Sequence, residues 1–244
     1  LSELYAFPPK FIVENPTIDN FTDLAKVSSE SMVSVGRYAL NSFLVTFFVV
    51  ALNILVGSMA GFALSKLEFK GKKLLFEINT ISMMFVPAAV LIPRYLVIDK
   101  IGIMDTYFAH TLPLVAMPVG MFLVKQFIDQ VPNELMEAAV VDGAGKFTVY
   151  RKVILPLIKP AIATTCILSF QQVWGNIETS SMFTSRESMR TLAFYMSTLV
   201  NANATVAGQG IAAAASLIMF LPNILLFVIL QSQVMNTMAH SGIK

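Results

Sequence analysis

Between Arg37 and Lys66 the chain carries no charged side chain. A helix over residues 39–64, rising 1.5 Å per residue, exceeds the ~30 Å hydrocarbon core of a bilayer, and a water-soluble fold rarely hides so long an apolar rod. Four further apolar stretches follow, over 74–98, 106–124, 160–177 and 211–235. Five spans are therefore predicted, in an all-α, polytopic transmembrane bundle. The composition agrees, at 56% hydrophobic and 13% charged residues, where soluble domains carry about a quarter charged residues. It excludes a cytoplasmic globular enzyme and a disordered chain. The net charge of only +2 gives no field for nucleic acid.

Lys and Arg in short loops set orientation, because cytoplasmic loops retain them. Lys66, Lys70, Lys72 and Lys73 follow the first span, and Lys125, Lys146, Arg151, Lys152 and Lys159 lie between the third and fourth. The opposite loops hold Arg94 and Lys100, then Arg186 and Arg190. The lysine-rich loops are thus expected in the cytoplasm and residues 1–36 outside, in a multi-pass protein of the plasma or inner membrane. An outward N-terminal segment with no leader predicts one further span before Leu1. Residues 191–210, rich in Asn, Thr and Gly, are expected outside the bilayer.

Pro87, Pro93, Pro113, Pro118 and Pro222 fall within predicted spans. Each removes a backbone donor, which a bundle tolerates at a packed kink or beside a water-filled cavity. Both uses remain open, and Gly57 with Gly61 marks a close helix approach. Cys166 stands alone in an apolar run, which excludes internal disulfides and suits a packing thiol. His110 and His240 accompany no metal-ligand cluster, HExxH or GxSxG pattern, and no catalytic residue or metal site is assigned.

The loop over 129–160 is too long for a simple connector. Pro132 suits a helix start, Glu134 and Glu137 lie toward its positive end, and Gly143 and Gly145 end it. Leu135 with Ala139, and Met136 with Val140, stand four apart and give a small apolar strip. Such a short helix is marginal alone in water and needs something to dock on.

Glu137-Ala138-Ala139, then Gly143 after three residues, then Val153-Ile154-Leu155-Pro156 after nine, resembles the EAA signature of permease subunits of binding-protein-dependent ABC importers. Val153 replaces the family's usual Ile and keeps a β-branched apolar side chain. Val131 to Leu135, Asp142-Gly143-Ala144, Leu155 to Ala161, Ala6 to Lys10, Arg37 to Ser42 and Leu91-Ile92-Pro93 are similar to the MalG-like, carbohydrate-importing branch. The resemblance covers nearly the whole chain, as a single permease domain over 1–244. Gly175-Asn176 departs from it, since many relatives place Asn and then an acidic residue after the Trp.

The resemblance implies six spans, with 129–160 forming a coupling loop that docks on a cytoplasmic ATPase through Glu134, Leu135, Met136, Glu137, Ala138, Ala139, Val140, Asp142, Gly143, Leu155 and Pro156. It also implies partners: a second homologous permease, two ATPase subunits and an extracellular solute-binding protein that delivers a sugar. The chain has no GxxxxGK[ST] loop, so ATP and Mg2+ are expected on the ATPases and no cofactor on this chain. A non-sugar solute is the alternative. A secondary transporter would need ionisable groups well inside its spans, and Glu77, Arg94 and His110 all fall near predicted ends.

Polar side chains in apolar spans are the candidates for a solute path. Gln171, Gln172, Trp174 and Asn176 cluster in the fourth span, with Asn53 and Asn223 elsewhere. Amides can bond sugar hydroxyls and an indole can stack on a sugar ring, but the same groups suit interhelical hydrogen bonds equally.

Overall fold

The computed structural model describes residues 17–29, 31–202 and 208–241, with side chains as far as 232. The first 16 residues of the N-terminal segment, with Ala6 to Lys10 among them, and Asn203 and Thr205 therefore lie outside the described residues. In chain order the helices are α1 (Asp19–Ser29), α2 (Val35–Lys66), α3 (Lys72–Ser82), α4 (Leu91–Lys100), α5 (Tyr107–Val115), α6 (Pro118–Asp129), α7 (Asn133–Val141), α8 (Lys146–Val149), α9 (Leu155–Leu157), α10 (Lys159–Trp174), α11 (Glu178–Phe183), α12 (Leu192–Ala202) and α13 (Gln209–Ser241). The regular elements among the described residues are all helical.

Two stretches, Val35–Lys66 and Gln209–Ser232, are each long and apolar enough to cross a membrane unbroken. Bent helix pairs supply the rest, and counting each pair as one span gives five. The second predicted span, 74–98, is not the continuous helix expected. It divides into α3, a 3-10 turn at Pro87–Val90 and α4, with a bend of 108°. Pro87 has no N–H and holds Val86 extended, at φ −72° and ψ 127°, so the helix cannot pass through it. In the third span Pro118 acts similarly and α5 meets α6 at 43°.

The fourth span is shorter than predicted and ends at Trp174. The loop before it is largely helical. α8, a π-helical turn at Tyr150–Ile154 and α9 form one rod, which meets α10 at 79°. Pro156 and Pro160 each lack an N–H, so the carbonyls of Lys152 and Pro156 lose their i+4 donors. The Leu155 N–H reaches back to the Tyr150 carbonyl, the i+5 bond of a π-bulge. Part of 191–210, the stretch expected outside the bilayer, is helical. Residues 192–202 form α12, because Leu192, Ala193, Tyr195 and Met196 are buried and packing overrides the polar composition around them.

α2 is the post on which the bundle is built, packing along α6, α10 and α5. Gly57 and Gly61 face α6. A Cβ at Gly61 would stand 3.2 Å from Val124 Cγ1 and 3.3 Å from the Lys125 backbone nitrogen, whereas one at Gly57 meets nothing nearer than 3.9 Å. The two ends of α2 hold different loops. At one end Asn41 donates to the Ser188 and Arg190 carbonyls and Tyr38 donates to Glu187. Asp105 braces the same loop by accepting the Ser185 and Arg186 N–H groups, and these donors hold its carboxyl below the usual carboxylate range. At the other end Ser65 donates to Asp129 and Lys66 reaches α7.

The lysine-rich loops thus share one end of the bundle, as the charge asymmetry requires. In a Cys166→Ser background, Lys70→Cys should resist a membrane-impermeant thiol label applied outside intact cells, and Arg186→Cys should react. Strong labelling of Lys70→Cys would invert the orientation.

Candidate functional site: a braced helix beyond the bundle

α7 begins right after Pro132, whose missing N–H costs nothing there. It stops in a Schellman motif: the Gly143 N–H bonds the Val140 carbonyl at 2.9 Å and the Ala144 N–H bonds the Ala139 carbonyl at 2.9 Å. This closure needs a left-handed residue, and Gly143 has φ +82°. No atom lies within 4 Å of where its Cβ would be. Of the two roles a glycine could play here, positive φ is in use, and no other part of this chain approaches closely.

The apolar strip is split between two faces. Met136 and Ala139 pack on the core formed by Phe62, Val124, Ile128, Val131, Tyr150 and Ile154. Leu135, Val140 and Val141 are exposed, at 46%, 58% and 86%, with Ala138 beside them. Each i, i+4 pair read from the sequence therefore has one member turned inward and one outward, since the helix lies against its own bundle. Glu134, Glu137 and Asp142 are exposed and ring the outer patch.

The mount involves residues that the sequence reading passed over. Lys66 at the end of α2 donates to the Val131 carbonyl at 2.6 Å and to Asn133 Oδ1 at 2.8 Å, pinning the start of α7. Tyr150 on the π turn lies 2.7 Å from Ser58 Oγ within the bundle, and its ring packs on Phe62. Leu155 packs on the same core, and Pro156 sits at the turn that ends the rod. The available signal was an aromatic residue seven positions after Gly143 in a basic loop, which alone has too many other uses to single out.

The candidate path residues fall into four places. Trp174 Nε1 and Asn223 Nδ2 both donate to the Met219 carbonyl, at 3.0 and 3.2 Å. They line a cleft of about 560 Å³ between α10, α12 and α13, with Ser197, Asn201 and Ser216. Asn176 accepts from the backbone and hydroxyl of Thr179 and so caps α11. Asn53 is buried and donates to the Leu114 carbonyl and to Ser169 Oγ, tying α2 to α5 and α10. Gln171 and Gln172 are exposed on α10. His110 is buried between Thr179 and Thr184, at 2.9 and 3.0 Å, a packing role.

The model of one family, the binding-protein-dependent transport system inner membrane component, matches residues 36–234. The chain belongs to this family. Among similar members of this transport family, the melibiose/raffinose/stachyose import permease MelC of Bacillus subtilis is 31% identical over 86% of this chain and 77% of its own. The sn-glycerol-3-phosphate permease UgpE of Brucella melitensis is 31% identical over 92% and 78%. A bacterial ABC transporter that imports alginate shares the fold, with a TM-score of 0.74 at 20% identity over 86% of this chain and 78% of that one. As an inner membrane transport component, the chain is an ABC importer permease.

Proposed function

We propose that this permease carries a carbohydrate or oligosaccharide handed to it by an extracellular solute-binding protein, and that α7 is where a cytoplasmic ATPase drives it. The observation that carries the coupling role is the contrast within α7. A nine-residue helix is held rigidly by Lys66, Tyr150 and a Schellman cap, yet it turns Leu135, Val140 and Val141 away from its own protein. An apolar patch of that kind on a braced helix suits a groove in another subunit. ATP and Mg2+ belong on two such ATPase subunits, with a second homologous permease completing the membrane domain and no catalytic group on this chain.

Force arriving at α7 has two routes inward. One runs through Lys66 to the end of α2, and the other runs through Tyr150 to Ser58 and Phe62. Both reach the helix around which the bundle packs, so a small displacement of α7 moves a rod rather than a loop. Leu135→Asp with Val141→Asp should abolish co-purification of the ATPase subunits while the permease still accumulates in the membrane. Retention of the ATPases at wild-type stoichiometry would remove α7 as the contact.

Carbohydrate is favoured by the oligosaccharide permease among the relatives and by the neutral polar side chains in the spans. UgpE, named for a phosphorylated polyol, supports the second reading, a non-sugar solute. Uptake assays in proteoliposomes with raffinose and sn-glycerol 3-phosphate separate them. Gln171 and Gln172 are offered as path residues on α10. The double alanine variant should lower uptake several-fold at unchanged permease level, and an unchanged rate would assign them to packing.

A further inference from the structure

At the break between α5 and α6 the chain leaves helical geometry at Ala116 and Met117, beside a cavity of about 180 Å³ whose lining includes Asn53, Asn79, Gly120 and Thr165. Irregular backbone at membrane depth persists only where protein or water satisfies it. Here the Leu114 carbonyl takes a bond from Asn53 and the Pro118 carbonyl takes one from Asn79. Of the side chains lining this cavity, two carry a buried oxygen with no hydrogen-bond partner among the described residues, Asn53 Oδ1 and Thr165 Oγ1. Their residues are only 3% and 1% exposed.

Neither oxygen is free by default. Because Asn53 Nδ2 is turned to Leu114 and Ser169, Oδ1 is left on the other side of the amide. A helical threonine ordinarily returns its hydroxyl to the carbonyl one turn back, as neighbouring Thr164 does to Pro160 at 3.0 Å. Thr165 does not. Gly120 keeps it seated, since a Cβ there would stand 2.9 Å from Thr165 Cγ2. Packing alone needs neither oxygen unpaired, and burying them so is costly. No charged side chain lines the cavity.

We propose that this cavity is a hydroxyl-binding subsite of the solute path, taking a neutral polyhydroxylated solute with Asn53 Oδ1 as acceptor and Thr165 Oγ1 as donor or acceptor. The proposal rests on the carbohydrate reading above and deepens it. The neutral lining disfavours a phosphate, which would enter without a cation to meet it.

Thr165→Val keeps the side-chain shape and deletes only the unpaired hydroxyl. With permease levels matched, raffinose uptake by the reconstituted complex should fall about tenfold, the worth of one hydrogen bond, and Thr165→Ser should restore it. In a Cys166→Ser background, Thr165→Cys should react with a charged methanethiosulfonate, which arrives only through water, and raffinose with its binding protein should slow the reaction. Phe48→Cys, on the exposed side of α2, should stay unreactive in lipid. Wild-type uptake by Thr165→Val, or Thr165→Cys as inert as Phe48→Cys, would overturn the subsite. Thiol access requires no solute, so a reactive Thr165→Cys in a complex that carries sn-glycerol 3-phosphate and no sugar overturns the carbohydrate reading and the neutral-ligand assignment, while leaving the cavity on the aqueous path.

Discussion

Gly143→Ile should lower uptake and solute-stimulated ATP hydrolysis together, on the order of tenfold, without loss of permease from the membrane. The left-handed conformation costs a residue with a Cβ roughly 1–2 kcal/mol, and a β-branched side chain is at the unfavourable end. At φ +82° the variant must either bear that strain or release the Schellman bonds to Val140 and Ala139, freeing the end of α7. Gly143→Asn is the informative companion. Asn enters the left-handed region far more easily, and open space surrounds the Cβ position, so it should retain most activity. Equal loss in both variants would mean that bulk matters at Gly143, not backbone conformation. Wild-type coupling in Gly143→Ile would remove α7 from the transmission path.

Gly61→Val should act on stability rather than coupling. Its Cβ would already press on Val124 and on the α6 backbone at Lys125, and backbone cannot swing aside as a flexible side chain can. The added methyl groups then force α2 and α6 apart, at about 1–3 kcal/mol or more for overpacking. The melting midpoint of the detergent-solubilised complex should drop and the yield of assembled permease should fall sharply. Gly57→Ala, with 3.9 Å of room, should be close to neutral. A normal midpoint for Gly61→Val would show that α2 and α6 separate readily.

Much of α7 was legible in the sequence, because helix ends are written locally. Pro132, Glu134 and Gly143 fix the start, polarity and stop of α7 through chain chemistry that acts over a few residues. The path residues were less legible. An amide in an apolar span announces only that it needs a partner, and Asn176 found a helix cap while Trp174 and Asn223 met at Met219. Thr165 gave no signal, since only the missing bond to its own helix distinguishes it from Thr164.

The sequence by itself determined the membrane class, the apolar stretches, the gathering of the lysine-rich loops at one end of the bundle and the EAA spacing. These follow from hydrophobic length, from where Lys and Arg stand, and from motif offsets, all properties of the chain read in order. Tertiary structure alone decided that 192–202 is helical, and that Met136 and Ala139 face inward while Leu135, Val140 and Val141 do not. The reason is common to both: each depends on which surface lies opposite, and residues far apart in the chain supply that surface. Lys66 meeting Asn133 and Tyr150 meeting Ser58 brace a helix that its own nine residues could not hold in place.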